Sequence, residues 1–219
     1  MNTILQITPR ILKSIATIFF VFSRIIIEFI DNSIDAAEGF YIPETNSYSK
    51  QIEISIELDG NSHEYARLMI KDNCTGIKDL SKLLSSVGSS SKIEEISTNG
   101  QFGFGIYSFL ALCKSLSINT KHLENSYVER VKLNASALDV SESQGAQFNI
   151  EKIPISTYEP TVIPSPRTWI ILENFDKERF KEIDMKILWN EIQKHFELIL
   201  RRNNIKITVI DFKRRRSDG

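Results

Sequence analysis

With 219 residues, 42% of them hydrophobic and 25% charged, the chain has the composition of a globular domain able to bury one full core. Lys and Arg number 27 against 28 Asp and Glu, and the formal net charge of −1 excludes a general pull toward nucleic acid or anionic membrane. Two cysteines, Cys74 and Cys113, are too few for a disulfide framework or a zinc cage and fit a reducing, intracellular setting, and His63, His122 and His195 lie too far apart for a metal motif.

Ile11 to Phe40 reads as one or two helices that stop near Gly39. The oiliest run, Ser14 to Ser23, is far short of the ~20 apolar residues of a membrane span, and no small-residue cleavage site follows it. A buried helix is expected there. "YIPETNSYSK" reads as a polar loop, and "QIEISIELD" and "YARLMIKDN" as alternating strands joined at a Gly60–Asn61 turn. "IKDLSKLLSSV" suits a helix and "GSSSKIEEISTNG" a mobile small-residue segment.

"FGIYSFLALCKSL" reads as a second oily helix opening on glycines. Strands are expected at "SLSINTK", "YVERVKLNA", "QFNIEKI" and "TWIILENF", with the proline-rich "TYEPTVIPSPR" as a connector. "DMKILWNEIQKHFELILRR" has helical spacing and "NIKITVIDF" reads as a closing strand. Helices first and strands later, with one late helix, predict an α+β two-layer sandwich with helices on one face of a mixed sheet. Residues 1–212 form this expected domain, and the basic 213–219 reads as a tail or the start of a linker.

Three stretches carry chemistry. Glu28, Asn32 and Asp35 are spaced four and three apart, which puts them on one helix face amid Ile25, Ile26, Ile27, Phe29, Ile30 and Ile34. A solvent-facing polar stripe is the plain explanation. Yet a proton-accepting acid one turn from an amide oxygen is also what metal-assisted attack of water on a phosphoryl group needs. Asp72 ends a strand and precedes a turn with Gly76; an ionised Asp only accepts, so it can pair with an amino group. "NGQFGFGIYS" places Gly100, Gly103 and Gly105 at a helix mouth, where backbone N–H groups can approach phosphates. Each alone has a common structural explanation: a solvated stripe, an Asp-Asn turn, a hinge.

In this order the three stretches resemble the motifs of the GHKL superfamily (gyrase B, the ninety-kilodalton heat-shock chaperone, sensor histidine kinases and MutL). The family pattern is E-x-x-x-N-x-x-D-A, D-x-G-x-G, a lid, then G-x-x-G-x-G; "NGQFGFGIYS" is nearest the chaperone, and "EFIDNSIDA" and "SSKI" are nearer MutL. The resemblance runs from about Arg24 to Phe175, and "RTWIILENF" supplies Thr168 for a fourth motif. It implies a Bergerat-type sandwich with a mobile ATP lid, "LLSSVGSSSKIEEISTNG". It implies Glu28 as general base, Asn32 as the ligand of Mg²⁺, and Asp72 reading the adenine amino group with Thr168 in support. Asp35, Ala36, Gly76, Ile77, Lys92, Gly100, Gln101, Phe102, Gly103, Phe104 and Gly105 then line the ATP or ADP site.

The same resemblance implies slow Mg²⁺-dependent ATP hydrolysis that works as a dimerisation switch in a larger cytoplasmic protein, nuclear if eukaryotic. The homodimer forms through adjoining regions, and a following transducer-type domain, absent from the chain, completes the site; nucleic acid stays open as a partner and membrane does not. A nucleotide-binding switch without hydrolysis is the alternative, and a histidine-kinase catalytic domain a further one, disfavoured because His195 lacks the phosphoacceptor context. Cys74 departs from the pattern by replacing the first glycine of D-x-G-x-G, and a left-handed backbone there costs ~1 kcal/mol or more once a Cβ is present.

Overall fold

The computed structural model describes residues 2–5, 21–85, 105–138, 146–155 and 167–212. Helix α1 (Phe22–Ala37) is followed by a 3-10 turn (Glu38–Phe40). Strand β1 (Asn2–Leu5) precedes it, and β2 (Tyr41–Ile42), β3 (Ser47–Asp59) and β4 (Arg67–Asp72) follow. Then come α2 (Leu80–Ser85), a 3-10 helix (Gly105–Ala111), β5 (Cys113–Thr120), β6 (Tyr127–Asn134), α3 (Ala135–Leu138), β7 (Ala146–Asn149) and β8 (Glu151–Pro154). Strand β9 (Thr168–Phe175), α4 (Lys177–Lys181), α5 (Met185–His195), α6 (Glu197–Leu200) and β10 (Asn203–Asp211) complete it.

Among the described residues the main sheet has eight strands, ordered β10-β3-β4-β9-β5-β6-β8 with β2 paired to β3. Only β10 runs parallel to its neighbour, so the sheet is mixed. Its register explains the core. Ile56, Ile70, Ile170, Ile118 and Val131 form one row across five strands, and Leu58, Leu68, Leu172, Leu116 and Leu133 form the next. All are buried on the face that receives α1 and α5, whose Ile26, Ile30, Leu188 and Ile192 join the same core. This is the expected α+β two-layer architecture. The β-branched run Ile25–Ile27 is a modest helix former, and its burial in α1 outweighs that preference.

Several local expectations are corrected. "YIPETNSYSK" is not a loop: Tyr41–Ile42 pairs with the start of β3, and Pro43–Thr45 makes a 3-10 turn with Asn46 left-handed at its end. The β3–β4 connection is longer than a two-residue turn, with Gly60 at φ +90° packed against Ala66. The oily "FGIYSFLALCKSL" gives a 3-10 helix and then strand from Cys113, because β5 must start early to align with Phe175. "QFNIEKI" is split at Ile150 between β7, paired with β1, and β8, paired with β6. The late helix is interrupted at Phe196 (φ −103°, ψ 21°), whose ring is pulled into the core. Short α4 was not anticipated; its start is fixed by the Asp176 side chain, which accepts from the Glu178 and Arg179 amides.

Candidate functional site

The inner face of the sheet is apolar until its last row. Two residues beyond the Ile56 row, on the same face, Ile54 aligns with Asp72, Asp72 with Thr168, and Thr168 with Thr120. Asp72 is buried, and its Oδ2 accepts from the Ser33 hydroxyl of α1 at 3.0 Å. Its Oδ1 accepts the Cys74 amide at 2.9 Å, and Thr168 stands opposite it on β9. Burial is the largest influence and pushes Asp72 up to about 6, against these hydrogen bonds.

The turn after Asp72 is anchored from both sides. Asn73 accepts from the Glu53 amide and donates to Gln51, and Lys50, lying over the Phe40 ring, donates to the Asn73 carbonyl. Gly76 has φ +76°, and a Cβ there would sit 2.4 Å from the Lys121 carbonyl oxygen, so glycine is required. The Ile77 amide donates to Thr120 Oγ1 at 2.8 Å. Cys74 does not need φ > 0: among the described residues the left-handed non-glycines are Asn46, Asn174 and Asn204. The cost expected for a Cβ at this position does not arise, because Cys74 avoids positive φ while its amide closes the turn onto the Asp72 carboxylate.

On α1, Glu28 and Asp35 are half-buried and Asn32 is exposed. The Ala36 carbonyl accepts from Thr75 at 3.4 Å, joining the helix end to the same turn. Gly105 opens the 3-10 helix directly against the lip. A Cβ there would lie 3.0 Å from Glu28 Oε2 and 4.0 Å from Asn32 Nδ2. Burial raises Glu28 from the ordinary carboxylate range, opposed by the charges of His195 and Arg24.

The structure therefore brings Glu28, Asn32, Asp35, Ala36, Asp72, Gly76, Ile77, Gly105 and Thr168 to one end of the sandwich. Lys92, Gly100, Gln101, Phe102, Gly103 and Phe104, with the lid segment, lie outside the described residues. Two cavities bounded by described residues lie elsewhere, about 210 Å³ beside Val21 and Ile187 and about 290 Å³ beside His63 and Asn174.

Sequence reasoning missed Ser33, Thr120 and His195. The first two carry no motif signal, and only strand register and helix packing place their hydroxyls beside Asp72 and Ile77. His195 sits at the end of α5 with Nε2 3.5 Å from Asp31 Oδ2. Asp31 is raised to about 6, chiefly by burial, and its Oδ1 is buried with no hydrogen-bond partner. Among the described residues no group of three His, Cys, Asp or Glu side chains could hold a metal, and no helix is long and apolar enough to cross a membrane.

A mixed sheet covered by helices, with an acid–amide helix lip meeting a glycine-opened turn above a strand-end aspartate, defines an ATPase-type α+β sandwich. Residues 20–162 match the family described as histidine kinase-, DNA gyrase B- and HSP90-like ATPase, and the chain belongs to that family. It is also 30% identical over 148 residues to the chaperone protein HtpG of Buchnera aphidicola subsp. Cinara cedri (strain Cc). That alignment covers 58% of the chain and 22% of the chaperone, so the chain spans about a fifth of that relative's length. Membership makes this a GHKL-type domain and carries ATP binding as the family's general property.

Proposed function

We propose that the chain binds ATP with Mg²⁺ and hydrolyses it slowly, as a conformational switch within a larger protein. One observation carries this reading: Glu28 and Asn32 abut Gly105 while Ser33, on the same helix, holds Asp72. The donor set fits the ligand. An amide oxygen and phosphate oxygens are hard ligands suited to Mg²⁺, which keeps several waters, and the absence of a Cβ at Gly105 leaves room beside the acid. When bound through Asn32 and the phosphates, the ion supplies charge neutralisation of the triphosphate.

The protein's own residues then divide the work. Asp72, fixed by Ser33 and the Cys74 amide, accepts from the adenine 6-amino group, with Thr168 beside it. Gly105 and the glycines before it in sequence offer backbone donors to phosphate oxygens. Glu28 takes a proton from water, and its raised pKa moves it toward the range where a general base works near neutrality. Residues 1–212 are the nucleotide-binding unit of this reading, with 213–219 leading onward.

The test is Glu28→Ala in the full chain. ATP binding survives and phosphate release falls by about 10²-fold or more. A variant that still releases phosphate at the wild-type rate removes Glu28 from the chemistry. Wild-type binding with no release at all leaves the domain as a switch without hydrolysis.

A further inference from the structure

The carboxylate of Asp72 is aimed by one peptide plane. Its Oδ1 accepts the Cys74 amide at 2.9 Å, and that N–H belongs to the peptide whose carbonyl is Asn73's. The Lys50 ammonium donates to the same Asn73 carbonyl and lies 3.5 Å from the next one, of Cys74. Lys50, the Asn73–Cys74 peptide and Asp72 therefore form a chain of hydrogen bonds with a cation at one end and a carboxylate at the other. A charge-assisted bond to a peptide oxygen polarises the N–H across the same plane, so the two bonds strengthen each other. The ammonium also opposes rotation of the peptide, which would turn its N–H away from Asp72.

Each member of the chain is held by a different element. Lys50 leaves β3 with its ammonium 4.3 Å from the centre of the Phe40 ring, in the 3-10 turn that follows α1. The Asn73 side chain accepts from the Glu53 amide and donates to the Gln51 carbonyl, both at 2.9 Å, and its own amide donates to the Glu53 carbonyl at 3.2 Å. Asp72 Oδ2 accepts from Ser33 of α1 at 3.0 Å. The plane of the Asn73–Cys74 peptide is then set by the two bonds it makes, to Lys50 and to Asp72.

We propose that Lys50 is a positioning residue for base selectivity: by clamping the Asn73 carbonyl it turns the Cys74 amide onto Asp72 and holds the carboxylate in the orientation that reads a 6-amino group. This rests on the nucleotide reading above and deepens it. Lys50 acts through the peptide rather than on the nucleotide. A merely structural role would weaken every nucleotide alike, whereas a role through Asp72 weakens those that carry the amino group.

The test compares ATP with the triphosphate of unsubstituted purine riboside, which lacks the amino group, on the full chain as wild type, Lys50→Met and Lys50→Arg. Methionine keeps the apolar stem without a donor, and arginine keeps both charge and donors. Lys50→Met lowers the ATP affinity about three- to tenfold and leaves that of the purine analogue within about twofold, while Lys50→Arg retains most of the ATP affinity. In the nucleotide-free protein the Cys74 amide proton, followed by NMR, moves upfield and exchanges faster in Lys50→Met but not in Lys50→Arg. Equal losses for both nucleotides, or none for either, overturn the proposal. A Cys74 amide signal unchanged by Lys50→Met overturns it without any binding measurement. Should Lys50→Met fail to fold, Lys50→Gln, a neutral donor, carries the same comparison. A wild type that binds neither nucleotide overturns the ATP reading itself, an outcome separate from binding with unchanged selectivity.

Discussion

At the residue scale, Asp72 is a buried carboxyl whose raised pKa is a statement about stability. Its proton is held more tightly in the folded chain, at about 6, than at the ordinary 3.8. The protonated form therefore favours folding: this contribution is complete below the unfolded pKa and is lost as pH rises through about 6. Roughly two pKa units correspond to about 3 kcal/mol. Asp31, also raised to about 6, acts with the same sign. Urea unfolding from pH 4 to 8 should show stability declining across this window, and Asp72→Asn should flatten the decline while abolishing ATP binding. Parallel pH profiles for the two proteins would remove Asp72 as the cause. Asp72 was legible in the sequence because an acid that ends an alternating strand before a glycine turn is a local pattern. Its partner Ser33 was not, since nothing within the helix distinguishes it from any other small residue.

At the scale of elements, two devices hold the sheet in place. The turn after β4 depends on Gly76, where both the left-handed backbone and the Lys121 carbonyl forbid a side chain. Gly76→Ala should cost about 2 kcal/mol or more in chemical denaturation and weaken nucleotide binding through Asp72. Full stability in that variant would contradict the geometry. On the opposite sheet face, Lys71 and Glu57 form a buried pair at 2.7 Å, with Ser55 donating to Glu57 and Lys71 lying 5.3 Å from the Trp169 ring centroid. Removing one partner strands a buried charge, so Lys71→Ala should cost about 3–5 kcal/mol, while the double change Lys71→Met with Glu57→Leu should recover most of it. Thermal unfolding of the three proteins measures this; additive losses would deny the coupling. Alternation in β3 and β4 reads Ser55, Glu57 and Lys71 as outward polar residues. It gives no sign that they are buried, because burial of an outer face depends on what packs over it.

At the scale of the whole molecule, the proposed switch predicts association that follows nucleotide state. Light scattering should show a mass moving toward a dimer with Mg²⁺ and a non-hydrolysable ATP analogue, and Glu28→Ala should do the same with ATP itself. Asn32→Ala should block the change in both cases. A mass indifferent to nucleotide would sink the pairing and leave ATP binding untouched.

The sequence by itself settled the α+β class, the helix that carries Glu28 and Asn32, the strand that ends in Asp72, and the glycine that opens the turn beside them. Those are patterns of period and punctuation, fixed by hydrophobic spacing and backbone freedom over short stretches. Tertiary structure alone decided that Gly105 lies against Glu28, that Ser33 and Thr168 converge on Asp72, that His195 reaches Asp31, and that Phe196 breaks the late helix. Each of these depends on register between strands or on packing between elements distant in the chain, where the free energy is gained by bringing surfaces together and leaves no periodic trace in the residues that supply it.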